Sequence, residues 1–220
     1  MFLFTSYANS AVELNTSRVI YHSEKTGEDI KVKNNSLQPY LVQSWVDSGK
    51  EKKDIPFTST PPLFRLDPDN ESTISVIYTG KNLPEDEESL FWLNVKSIPS
   101  VNGEIKNNKL IIAIDHRIKL IYRPETLAGD ATSAISHVVW TKVSADTLAV
   151  TNNSPYFVTF NELSINSKAV SISLDPDNST LAPHKTLQYT LHTPLGDHPL
   201  IKWRAITDDG SQTEQFNKSL

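Results

Sequence analysis

The chain contains no cysteine, one methionine and only seven glycines among its 220 residues. Without thiols there are no disulfides and no thiolate metal ligands. The redox compartment stays open, because an oxidising environment permits disulfides without requiring them. Scarce glycine leaves no phosphate-cradling loop, and no Gly-x-Ser-x-Gly motif occurs. The six histidines (His22, His116, His137, His184, His192 and His198) show neither His-Glu-x-x-His nor His-x-His spacing. No nucleophile stands beside a base, so the sequence reads as non-enzymatic, with no catalytic, metal or cofactor site. Excess positive charge is also missing. The net charge is −5, whereas neutralising nucleic-acid phosphates needs a basic footprint. No apolar run reaches the ~20 residues that a membrane helix requires, which argues against membrane insertion.

What is present is strand periodicity. Hydrophobic residues are 38% and charged residues 21% of the chain, a globular balance large enough for one or two cores. Strands are expected at Val12–Tyr21, Asp29–Lys33, Tyr40–Val46, Ser72–Tyr78, Ser89–Ser97 and Lys109–Tyr122. Turn residues separate them: Thr26-Gly27, Asn34-Asn35-Ser36, Ser48-Gly49 and Asp67-Pro68-Asp69-Asn70. The apolar signal lapses after Arg123-Pro124, which suggests a short linker. A second series follows at His137–Val143, Thr147–Asn152, Phe157–Ile165, Thr186–Leu191 and Leu200–Thr207. No stretch carries a sustained helical pattern. Residues 1–10 read as the remnant of a secretory signal, with Ala8-Asn9-Ser10 ahead of Ala11 as the small-residue cleavage pattern.

Two related halves are also suggested by an internal repeat. Asn34-Asn35-Ser36 precedes Pro39-Tyr40, and Asn152-Asn153-Ser154 precedes Pro155-Tyr156, an offset of 118 residues. LeuAspProAspAsn occurs at 66–70 and again at 174–178, an offset of 108, which makes the second half ten residues shorter between these turns. Two immunoglobulin-like sandwiches fit the length, at 11–124 and 125–220, without the cysteines of antibody domains.

The most unusual stretch is 109–123, KLIIAIDHRIKLIYR. Leu110, Ile112 and Ile114 alternate with Ile111, Ala113 and Asp115, after which His116, Arg117 and Lys119 interrupt an apolar pattern that resumes at Ile118. An ordinary core strand has no need of an apolar ladder joined to cations. A strand offered to a partner does.

The most specific signal is LPEDEESLFWLNVKSIPS at 83–100. Read plainly, it is a charged loop entering a half-buried strand. Leu83-Pro84, Glu88-Ser89-Leu90, Trp92, Asn94-Val95 and Ile98-Pro99 nevertheless match the signature of PapD-like periplasmic chaperones of the chaperone–usher pathway. ThrSerArgValIleTyr at 16–21, ThrProProLeuPheArgLeu at 60–66 and IleLysLeuIleTyrArgPro at 118–124 agree with it. Pro99 is followed by Ser100, where many relatives carry a second proline. The ten residues from Ser100 to Lys109 resemble the short-loop branch of the family.

The resemblance implies an all-β chain of two immunoglobulin-like domains set at an angle, with a cleft between them. It implies a periplasmic chaperone that binds, folds and caps pilus subunits by donor-strand complementation and passes them to an outer-membrane usher. Carried over by position, Leu110, Ile112 and Ile114 match the donor residues. Arg18 and Lys119 match the pair that anchors the subunit's C-terminal carboxylate. Arg65, Glu88 and Arg123 resemble the charged inter-domain cluster. Strict alternation sets Lys119 opposite Ile114, so a bulge or strong twist is expected near His116–Arg117. The alternative reading is a two-domain extracellular adhesion module.

Overall fold

The computed structural model describes residues 11–49, 54–80, 83–100, 110–173 and 177–220. The expectations for residues 1–10, for 101–109 of the Ser100–Lys109 connection and for Leu174-Asp175-Pro176 of the repeat lie outside these. The chain forms two compact units. The first holds residues up to Tyr21, Lys25–Asn82 and Leu90–Ile121, and the second holds His22–Glu24, Leu83–Ser89 and Tyr122–Leu220. The second unit therefore takes two short segments from before Pro124 besides the C-terminal half.

The first series of strands comprises β1 (Val12–Leu14), β2 (Arg18–His22), β3 (Glu28–Asn34), β4 (Tyr40–Asp47), β5 (Phe57–Thr60), β6 (Leu63–Leu66), β7 (Glu71–Tyr78), β8 (Ser89–Pro99) and β9 (Ile114–Arg123). One sheet runs β1-β3-β7-β5 and the other β2-β9-β8-β4-β6. The expected strand Val12–Tyr21 is two strands in different sheets. The break falls at Asn15-Thr16-Ser17, where polar side chains replace the ladder: Asn15 Oδ1 accepts from Lys31 N (2.9 Å) and Thr16 Oγ1 donates to Arg18 O (2.6 Å). Alternation turns Val19 and Tyr21 inward, where Tyr21 meets Phe57 edge-on at 5.3 Å and Phe57 meets Phe91 at 5.1 Å. These rings bridge the two sheets and centre the core.

The second series holds β10 (Val139–Lys142), β11 (Thr147–Thr151), β12 (Val158–Ile165), β13 (Lys168–Ala169), β14 (Thr180–Leu181), β15 (Thr186–Thr190), β16 (Leu200–Ala205) and β17 (Phe216–Ser219). β10-β11-β15 face a sheet ordered β13-β12-β16-β17, with β14 pairing β12. Trp140 packs against Phe160 at 5.8 Å and Trp203 at 5.5 Å in this core. A six-residue helix, α1 (Ala131–Ser136), stands beyond Pro124 where a short linker was expected. Asp130 caps it by accepting from Ser133 N at 2.8 Å, and it buries Ala134 and Ile135. A helix this short shows too little of its period to be read in advance.

The repeated Asn-Asn-Ser is the same structural device twice. Asn34 Nδ2 donates to Gln38 O and Leu66 O, and its Oδ1 accepts from Ser36 N and Oγ. Asn152 Nδ2 donates to Tyr156 O and Ala182 O, and its Oδ1 accepts from Ser154 N and Oγ. Both asparagines are at most 1% exposed, and each saturates its amide while closing a loop. Backbone bonds tie each of these loops to a second one. Asn34 N donates to Asn70 O, whereas Asn152 N donates to Lys185 O. Asp69 and His184 share the left-handed conformation, each following a proline. The loop that answers Leu66–Asn70 in these bonds is thus Ala182–Lys185, while Leu174, Asp175 and Pro176 of the repeated pentapeptide lie outside the described residues. The two halves are nearly equal between these turns, because loop geometry is preserved by its hydrogen bonds rather than by its letters.

Candidate functional site

Strand β9 begins at Ile114, five residues later than the expected Lys109, and residues 110–113 lie in no strand. Leu110 is 82% exposed, Ile112 64% and Ile114 39%, with Ile111 at 40%. A row of large aliphatic side chains left in water is an unspent driving force of roughly 1.5–3 kcal/mol each if fully buried. Farther along, Leu120 is 0% exposed. One continuous run therefore passes from solvent to core.

Arg18 opens β2 and Lys119 lies in β9, its hydrogen-bonded neighbour. Val19 and Leu120 occupy the core-facing positions beside them, so both cations take the outward face of the same sheet. Arg18 is half-buried and Lys119 nearly fully buried. Two cations held partly out of water on adjacent strands suit a carboxylate, whose oxygens accept charge-assisted bonds.

On that outward face, a cluster not foreseen from the sequence gathers around Asp47 at the end of β4. Its carboxylate accepts from Gly49 N (2.7 Å), Asn94 Nδ2 (2.7 Å) and Arg117 Nη2 (2.9 Å). The Arg117 guanidinium also lies 4.4 Å from the centre of the Trp92 ring. Burial opposes the Asp47 charge, but the bonds from Gly49, Arg117 and Asn94 prevail and lower its pKa below the ordinary 3.8. Gly49 has φ +72°, and a β-carbon there would sit 3.1 Å from Trp92 Nε1, so any other residue would strain the turn and crowd the ring. The turn Ser48-Gly49, the signature residues Trp92 and Asn94, and Arg117 were each marked in the sequence, but nothing there joined them to Asp47. Its partner on β9 lies seventy positions away.

Glu88 and Arg123 come together within the second unit. Glu88 is 3% exposed. Its Oε1 accepts from Arg123 Nε (2.6 Å) and its Oε2 from Phe157 N (2.6 Å), while Glu88 N donates to Pro155 O (2.9 Å). Arg123 then grips Asp208 with both terminal nitrogens, at 2.6 and 3.0 Å, and lies 5.2 Å from the Tyr156 ring centre. Burial raises the pKa of Glu88 against the pull of Arg123 and of the Phe157 amide. Burial also works against the Arg123 cation, but Asp208 and Glu88 outweigh it and hold the charge firmly. Arg65 lies in the first unit, on β6, and its Nε donates to Asp67 at 2.7 Å with most of the side chain exposed. Asp208, eighty-five positions from Arg123, was not foreseen. It lies in the turn Thr207-Asp208-Asp209-Gly210, which reads as solvent-facing.

Two sandwiches carry a solvent-exposed apolar run and two semi-buried cations on one sheet face, features that suit a protein-binding surface. Residues 11–128 match the family model described as pili and flagellar-assembly chaperone, PapD N-terminal domain, and residues 133–217 match pili assembly chaperone PapD, C-terminal domain. The chain belongs to the PapD family of pilus-assembly chaperones. It is 36% identical to the probable fimbrial chaperone LpfB of Escherichia coli O157:H7, over 100% of this chain and 93% of that one. It is likewise 36% identical to the chaperone protein FimC of Escherichia coli K12, over 95% of this chain and 84% of FimC. Among solved structures, it is similar to a chain of the Salmonella enterica SafA pilin–SafB chaperone complex, with a TM-score of 0.84 and 29% identity over 98% of this chain and 99% of the other.

Proposed function

We propose that this protein is a periplasmic, non-enzymatic chaperone that captures pilus subunits, completes their fold with a donated strand, and delivers them to an outer-membrane usher. It needs no cofactor. The observation that carries the reading is the exposed row Leu110, Ile112 and Ile114 on the same chain segment as the semi-buried cation Lys119. An incomplete subunit exposes apolar core and unpaired backbone. The row supplies alternate side chains for that core and main-chain groups for that edge, while Arg18 and Lys119 receive the subunit's terminal carboxylate and set the register. The names of relatives support it: SafA pilin is seen with the SafB chaperone, and a chaperone SfaE is described as periplasmic. Glu88 and Arg123 serve in this reading to brace the chain on either side of the donor-strand unit, with Arg65 assigned to the same charged set by position alone.

The test is periplasmic co-expression with candidate pilus subunits. A subunit that aggregates alone should become soluble and co-purify with the chain in a fixed ratio. Purification from periplasm that returns host ligands and no pilin-like chain, with every candidate subunit still aggregating, would support an adhesion module instead.

A further inference from the structure

His116 and Arg117 are absorbed neither by the donor row before them nor by the anchor after them, yet the fold uses both at one point. His116 lies in the strand position that faces the other sheet, and its Nε2–H donates to Val12 O of β1 at 3.0 Å. The next residue, Arg117, faces out and is held by Asp47 at 2.9 Å and by the Trp92 ring at 4.4 Å. Asp47 is itself fixed by Asn94 and by Gly49 N, both at 2.7 Å. On the core side of β9, Ser97 Oγ of β8 reaches Ile114 O at 3.3 Å. Consecutive residues are thus tied to opposite faces, two and three positions after Ile114, where the exposed row becomes strand.

We infer that His116 and Arg117 form a two-sided pin that sets the starting point of the donor row relative to the Lys119 anchor. They are positioning residues and do not themselves touch the subunit. The inference rests on the donor-strand reading above. The need for a pin follows from strand geometry. Side chains alternate at about 3.3 Å per residue, so a slip of one residue would turn Leu110, Ile112 and Ile114 away from the partner's core. An anchor alone fixes only the far end of the segment. A pin between anchor and row passes that register on, and tying both faces prevents the twist that a single contact would allow.

The experiment compares the full-length wild type with Arg117→Ala, Arg117→Lys, the double variant His116→Ala/Arg117→Ala, and Lys119→Met as the anchor control. The probe is the subunit that co-purifies with the wild type. Three quantities are read: the thermal midpoint, capture per folded molecule, and amide exchange along β8 and β9. In the double variant, exchange over Ile114–Ile118 should rise while β8 stays protected, capture should fall about five- to tenfold, and the midpoint should move by only a few degrees, as suits half-exposed contacts. Arg117→Lys should recover part of the capture through Asp47. Wild-type capture by the double variant alongside a clear loss in Lys119→Met overturns the pin. So does exchange that rises equally over β8 and β9, which would mark a general structural role. If Lys119→Met captures normally, the anchor reading fails instead, and unchanged exchange over Ile114–Ile118 would still overturn the pin.

Discussion

Ile112 and Leu120 stand eight positions apart in one apolar run, and different molecules are proposed to bury them. Ile112 is 64% exposed and Leu120 0%. Replacing Ile112 with Thr keeps β-branching, removes the terminal methyl group and puts a hydroxyl in place of the methylene that carried it. In the free protein this surface change should shift stability by no more than about 0.5 kcal/mol. On capture the side chain enters a partner's core. There the lost methyl forfeits about 0.8 kcal/mol, and an unpaired buried hydroxyl adds roughly 1–3 kcal/mol. Even about 2 kcal/mol weakens binding roughly thirtyfold. Leu120→Ala should do the reverse, opening a cavity in the first unit at a cost of about 2–5 kcal/mol. Thermal unfolding followed by circular dichroism gives the first quantity, and titration of a refolding subunit, normalised to folded chaperone, gives the second. If Ile112→Thr melts the protein while capture per folded molecule stays normal, the row is core and the donor assignment is wrong.

Glu88→Ala should cost about 3–5 kcal/mol in urea unfolding, because it strips a buried carboxylate from Arg123 and Phe157 N, and Glu88→Gln should cost less; a wild-type midpoint for Glu88→Ala would refute the buried pair. Lys119→Met keeps the stem and removes the charge. Subunit capture should drop about tenfold or more, the worth of a charge-assisted bond, with little change in the unfolding midpoint; wild-type capture would remove Lys119 from the anchor. Asn34→Ala and Asn152→Ala should each destabilise their own unit by about 1–3 kcal/mol, since buried carbonyls and amides lose their partner, and a calorimetric scan should show the two losses in separate transitions. The lowered pKa of Asp47 means that its charge stabilises the fold above pH 3.8 and stops doing so as pH falls through its folded-state value. The stability gap between wild type and Asp47→Asn should therefore be full at pH 7 and shrink below about pH 3.8; a gap that is unchanged at pH 2.5 would show that the charge is not its source.

By itself the sequence determined the strand-rich class, the two halves and the oddity of residues 109–123, because alternation and turn chemistry are local and leave periodic marks. It also carried the Asn-Asn-Ser device, whose amide bonds its own loop four residues on in both halves. Residues read as turns or plain strand became parts of a site only on folding. Asp47 meets Arg117 across the sheet, and Asp208 meets Arg123 across much of the chain. The split of Val12–Tyr21 between two sheets, the late start of β9 and the near-complete burial of Lys119 were likewise settled by packing. Local letters specify a turn's chemistry, but which turn answers which is decided by the hydrogen bonds that distant strands make when they pair.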